Sequence, residues 1–112
     1  MEEKKPQSEE ELKIIEKAIE LLKTVYDPEI PVNVYDLGLI YKIDYTPDDK
    51  TLHVEMTLTA PSCPMADFIV EDVRQKLVSI KNLDKVDLRL VYTPEWTQDM
   101  MSEEAKLELG FL

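Results

Sequence analysis

The chain is short of the residues that build most recognisable sites. Its 112 residues include one cysteine, one histidine, one tryptophan and two glycines. A phosphate-cradling loop and a dinucleotide fingerprint each need several glycines at close spacing, and Gly38 and Gly110 cannot supply them. Intrinsic nucleotide chemistry is therefore excluded. One cysteine and one histidine cannot assemble a zinc set of nitrogen and sulfur ligands within a single chain, and a four-thiolate iron–sulfur cage fails for the same reason. Basic residues are scarce too: 13 Lys and Arg against 24 Asp and Glu leave a formal net charge of −11. That field repels nucleic-acid backbones and suits solubility, basic partner proteins or cations. No apolar run approaches the ~20 residues of a membrane span, and the start MEEKKPQSEEE has no apolar signal core. The expectation is a cytoplasmic protein without membrane or nucleic-acid partners, its lone cysteine a free thiol.

What is present reads as one compact domain over 8–112 behind a loose charged tail at 1–7. Ser8 opens a capping box with Glu11. Leu12, Ile15, Ile19 and Leu22, widened by Ile14, Ala18 and Val25, then form an apolar stripe at helical spacing, predicting a helix to about Tyr26. Asp27-Pro28 ends it, because proline disfavours helical geometry in the residue before it. From Leu39 the period becomes two: Leu39, Tyr41, Ile43 and Tyr45 make one strand, the segment TPDDK a turn, and Leu52, Val54, Met56 and Leu58 a second. Met65, Ile69, Val73 and Leu77, flanked by Phe68, Val70 and Ile80, predict a second helix. Val86, Leu88, Leu90 and Tyr92 predict a third strand, and a last short helix is capped by Ser102 and ended by Gly110. The order α-β-β-α-β-α implies an α/β (α+β) two-layer sandwich, a small three-stranded sheet with helices packed on one face.

Few residues in this pattern carry chemistry. His53 falls on the non-core face of the second strand, an ordinary place for a partly exposed histidine, and the sequence shows no partner for it. Cys63 lies between Pro61 and Pro64 where strand gives way to helix. Pro64 suits the first helical position, which makes Cys63 the N-cap, facing unsatisfied amides and the positive end of the helix dipole. Both favour thiolate, the form that attacks electrophiles and binds soft metals. Asp67 in the first turn, the acidic net charge and burial of the thiol oppose this, so local context leaves a functional thiol and a small buried hydrophobe both open. Trp96 and the pair Met100 and Met101 either seal a core edge or form a partner surface.

Three segments, YDPEIPVNVYDLGLIYKIDY, LTAPSCPMAD and VYTPEWTQDMMSEEAKLELGF, closely resemble the SufT/PaaD-like proteins of the iron–sulfur cluster assembly domain family. The resemblance covers the chain from about Ile15 to Phe111, with the three motifs in the family's order. It implies an α/β two-layer sandwich and a non-enzymatic role: an auxiliary factor in maturation of iron–sulfur proteins, assisting cluster assembly or transfer to apo-proteins. It also implies a functional patch of Cys63, Asp27, Glu29 and Thr59, with Asp36 beside them. For Asp27 a helix-ending turn, for Asp36 a turn cap and for Thr59 a strand end are the competing local roles. The C-terminal cysteine-rich extension of PaaD proteins proper is not found here, and no P-loop follows the domain.

A single sulfur limits what such a patch can do. Cys63 can contribute one thiolate to a transient iron–sulfur cluster or iron in a shared or intermolecular site, and no cofactor is expected to bind tightly to a monomer. The implied partners are the assembly machinery, apo client proteins and a second copy of the chain. Two other classes stand beside this reading. One is a protein-interaction module with a structural Cys63. The other is a thiol-dependent redox enzyme, weakened by the lack of a resolving cysteine and of an evident base.

Overall fold

The computed structural model describes residues 9–27, 30–59 and 66–110. Helix α1 (Glu9–Leu22) precedes strands β1 (Ile40–Thr46) and β2 (Thr51–Met56); α2 (Ala66–Val78) leads to β3 (Lys85–Leu90), and a 3-10 turn (Gln98–Met100) precedes α3 (Glu103–Glu108). This is the expected order. The sheet order is β1-β2-β3, with β1 and β2 antiparallel and β2 and β3 parallel, so the crossover through α2 places β2 in the centre. Central position explains its burial: Leu52, Val54 and Met56 are at most 1% exposed, packed with Ala18 and Leu22 of α1 and Ile69, Val73 and Leu77 of α2.

Four local expectations are corrected. The buried line of α1 is Ile14, Ala18 and Leu22, whereas Leu12 is an exposed neighbour of that stripe. The helix stops at Leu22 instead of running to about Tyr26. The Thr24 hydroxyl donates to the Leu21 carbonyl at 2.6 Å, and Tyr26 pairs with Asn33 in an antiparallel bridge. Two β-branched residues, Thr24 and Val25, weaken the helix here, and strand-like partners are at hand for the backbone that follows. In α2, Phe68 points outward, 63% exposed, because the buried row Ile69, Val73, Leu77 sets the helix rotation. The third strand ends at Leu90, and Tyr92 lies beyond it and is exposed.

The C-terminal expectations hold. The Ser102 side chain accepts from the Ala105 amide at 3.1 Å, and Gly110 adopts φ +85° beyond the helix. Strand β1 carries a bulge between Ile40 and Lys42, which leaves Tyr41 unpaired along the ladder. The expected Ser8 cap, the Pro64 helix start and Met65 lie outside the described residues.

Candidate functional site

Of the five patch residues suggested by the sequence, Asp27, Asp36 and Thr59 are described, whereas Glu29 and Cys63 lie outside the described residues. Asp27 follows the Tyr26–Asn33 bridge and is buried, 5% exposed. Its amide donates to the Val32 carbonyl at 3.2 Å, and its Oδ1 accepts from the Ile30 amide at 3.0 Å. The carboxylate thus closes a short turn through its own loop, a common role for aspartate at such a position. Asp36 is held just as firmly. Its Oδ2 accepts from Asn33 Nδ2 at 2.9 Å while its amide donates to Asn33 Oδ1 at 2.8 Å. The two side chains brace one tight turn from both sides.

A relay of backbone hydrogen bonds ties this loop to the end of the sheet where Thr59 lies. The Val34 amide donates to the Val25 carbonyl at 2.8 Å, Leu39 to Val34 at 3.1 Å and Thr57 to Leu39 at 2.8 Å. Asp27 is two residues beyond one end of this relay and Thr59 two residues beyond the other. Thr59 itself is half-buried in a bend after Leu58. The fold therefore brings the Asp27 loop and the Thr59 segment to the same end of the sheet.

The C-terminal segment straps this loop from outside, an arrangement that sequence reasoning missed. Trp96 Nε1 donates to the Leu37 carbonyl at 2.7 Å, and the Ser102 amide donates to the Asp36 carbonyl at 2.8 Å. Trp96 is half-buried against the core and Met101 is 5% exposed, so both serve the core-sealing role weighed for them. Bulged Tyr41 joins the strap: its hydroxyl donates to the Pro94 carbonyl at 2.8 Å and lies 3.4 Å from Met100 Sδ. Burial raises the Tyr41 pKa, partly offset by a hydrogen bond with Thr57. Gly38, at φ +82°, sits where any Cβ would collide with the Met100 carbonyl. The glycine in YDLG was the one signal in the sequence that something packs closely there.

The outer face of the sheet holds a second polar array. His53 Nδ1 lies 3.1 Å from Asp87 Oδ2 and His53 Nε2 3.0 Å from Thr46 Oγ1. A carboxylate only accepts, so Nδ1 carries the proton it offers. The partner absent from the sequence reading is thus Asp87, which becomes adjacent only when β3 pairs with β2. The hydrogen bond from His53 holds the Asp87 carboxyl below its ordinary pKa against an opposing cost of burial, with Arg89, whose Nε is 3.3 Å from Asp87 Oδ2, adding to the lowering. No group of three or more His, Cys, Asp or Glu among the described residues is arranged to hold a metal ion.

The family model for iron–sulfur cluster assembly proteins matches residues 15–89. The chain belongs to this family. It is 62% identical over 97 residues to an Fe-S protein maturation auxiliary factor of Porphyromonas gingivalis, covering 87% of this chain and 91% of that one. Identity to the Fe-S protein maturation auxiliary factor SufT of Staphylococcus aureus is 40% over 86 residues, 77% of this chain and 97% of that one. An iron-sulfur cluster carrier protein of Mycobacterium tuberculosis shares 33% identity over 79% of this chain but only 21% of its own length. Among solved structures, a domain of unknown function from Bacillus anthracis superposes with a TM-score of 0.83 at 31% identity, covering 92% of this chain and 97% of that one.

Proposed function

We propose that this family member acts in the maturation of iron–sulfur proteins as an auxiliary factor, assisting cluster assembly or delivery to apo-proteins, with Cys63 as the working ligand. The observation that carries the reading is the 62% identity, over nine-tenths of its length, to a relative named as an Fe-S protein maturation auxiliary factor. The relatives' names describe auxiliary factors and carriers rather than catalysts, which supports a non-enzymatic role. Cluster or iron is the cargo. Cys63 supplies one thiolate, and the cysteines of an apo-client replace it as ligands, a hand-over favoured because one sulfur binds too weakly to retain what it carries. Glu29 adds an oxygen donor or a contact for a basic client, and Asp27, Asp36 and Thr59 hold the surrounding loops in place. The hydrogen bonds of Asp27 and Asp36 to their own loop support positioning as their contribution. The cell compartment is the cytoplasm, and the partners are the assembly machinery and its clients. No helix among the described residues is long and apolar enough to cross a membrane.

Two measurements test this reading. In a cell lacking the wild-type gene, Cys63→Ala should leave iron–sulfur enzymes under-loaded while the protein accumulates normally. Full restoration by the Ala variant would overturn the role of the thiol and favour an interaction module. Anaerobic reconstitution with iron and sulfide should give cluster absorption for the wild type that Cys63→Ala lacks.

A further inference from the structure

Strand β3 has a free outer edge: it is the last strand of the sheet, and among the described residues no strand lies on its other side. Unlike β1, whose edge is interrupted by a bulge, β3 pairs with β2 in unbroken register from Lys85 to Leu90. Such an edge is a ready template for another strand unless it is blunted. The apolar cover over it is also thin. Val86, Leu88 and Leu90 are each only half-buried, whereas Leu52, Val54 and Met56 beside them are fully buried. The Lys85 and Val91 amides donate inward, to the Lys50 and Met56 carbonyls. By strand alternation the backbone groups of Val86, Leu88 and Leu90 face outward.

We propose that the occupant of this edge is β3 of a second copy, paired antiparallel about a two-fold axis through Leu88. Charge complementarity and apolar matching together select the partner and the register. With Leu88 opposite Leu88, Val86 faces Leu90 and Asp87 faces Arg89, once on each side of the axis, so from Val86 to Leu90 every apolar residue meets an apolar one and every charge its opposite, while Lys85 at the strand end faces Val91. Sliding by two residues in one direction places Asp87 against Asp87 and Lys85 against Arg89. Sliding in the other direction places Arg89 against Arg89. Like charges directly opposite destabilise a pair. The register centred on Val86 also avoids them but sets Leu88 against Asp84, and the one centred on Leu90 leaves Asp87 and Arg89 facing uncharged residues. The register centred on Leu88 alone forms both the Asp87–Arg89 and the Val86–Leu90 pairs. In that register Val86, Leu88 and Leu90 form the hydrogen-bonded pairs, and the Asp87–Arg89 pairs occupy the positions where side chains approach closest.

The outer face of the sheet extends the match. Cross-strand rows run Lys42, Glu55, Arg89 and Asp44, His53, Asp87. Joined at the axis, the first row continues through the partner's Asp87, His53 and Asp44, alternating in sign across six strands when His53 is protonated. An isologous dimer needs one self-complementary patch, and this edge is one. The pairing does not depend on the role of Cys63.

The test is sedimentation equilibrium of the full chain at low salt, over concentrations from about 5 to 500 μM, a range spanning weak to moderate affinities. The wild type should move from monomer to dimer mass. Arg89→Glu and Asp87→Arg, each placing like charges together, should associate at least tenfold more weakly, and an equimolar mixture of the two should regain wild-type affinity because each variant complements the other. A wild type that stays monomeric throughout, single variants that associate as tightly as wild type, or a mixture that fails to recover would each overturn the pairing. Hydrogen exchange on the unmodified chain avoids any folding defect of the variants. The Val86, Leu88 and Leu90 amides should slow with concentration while those of Asp87 and Arg89, already bonded to β2, do not. Exchange at Val86, Leu88 and Leu90 that is independent of concentration would overturn it as well.

Discussion

At the residue scale, Asp87 shows how a pairing invisible in the sequence sets a titration. Its carboxyl is held below the ordinary value by the hydrogen bond from His53, helped by Arg89. A depressed carboxyl pKa contributes stability that is fully present above the unfolded value, about 4, and is lost as pH falls through the lower folded value. Acid should therefore remove this contribution only below about pH 4, where the unfolded carboxyl gains its proton first. An NMR titration of the Asp87 side-chain carboxyl in His53→Ala should show its pKa move up toward the ordinary value. An unchanged titration would mean that Arg89 alone holds it down. Asp27 and Asp36 teach the converse. Sequence reasoning weighed each as a patch residue or a turn-maker, and their hydrogen bonds to Ile30 and Asn33 display the turn-making chemistry directly.

At the element scale, the loop between α1 and β1 is where local pattern and tertiary contacts compete. The stripe of Leu12, Ile15, Ile19 and Leu22, widened by Ile14, Ala18 and Val25, predicted that α1 forms, but the face that is buried runs through the widening residues Ile14 and Ala18 to Leu22. Its end was misplaced because Val25 suits both a helical stripe and a strand. What decided between them was the Val34 amide, nine residues away, bonding to the Val25 carbonyl. The same loop is closed from the C-terminal side by Trp96, Ser102 and Met100, which approach Leu37, Asp36 and Gly38. Gly38→Ala should therefore cost about 3 kcal/mol or more, combining a strained left-handed backbone with an overpacked contact. Urea denaturation should show the lower midpoint. A loss below about 0.5 kcal/mol would mean that the strap gives way at no cost and does not hold the loop, since that is the scale of an ordinary surface substitution.

At the scale of the whole molecule, β2 sits at the centre: it pairs on both sides, and its Leu52, Val54 and Met56 share one buried core with Ala18 and Leu22 of α1 and Ile69, Val73 and Leu77 of α2. Leu52→Ala removes a fully buried side chain from this strand and should cost about 2–5 kcal/mol, read as a lower denaturation midpoint with an unchanged slope. A cost below about 1 kcal/mol would mean that the surrounding helices collapse onto the cavity. Element order and both core faces were legible in the sequence because periods of two and of three to four are properties of neighbouring residues. So were the exclusions, since one cysteine, two glycines and a net charge of −11 are counts. Pairing was not legible. That β2 and β3 run parallel, that Asp87 meets His53, that Trp96 closes over Leu37 and that β3 is left at an edge depend on contacts between residues dozens of positions apart. Spacing along the chain determines which face of an element is apolar; only packing decides which other element covers that face, and which edge stays open.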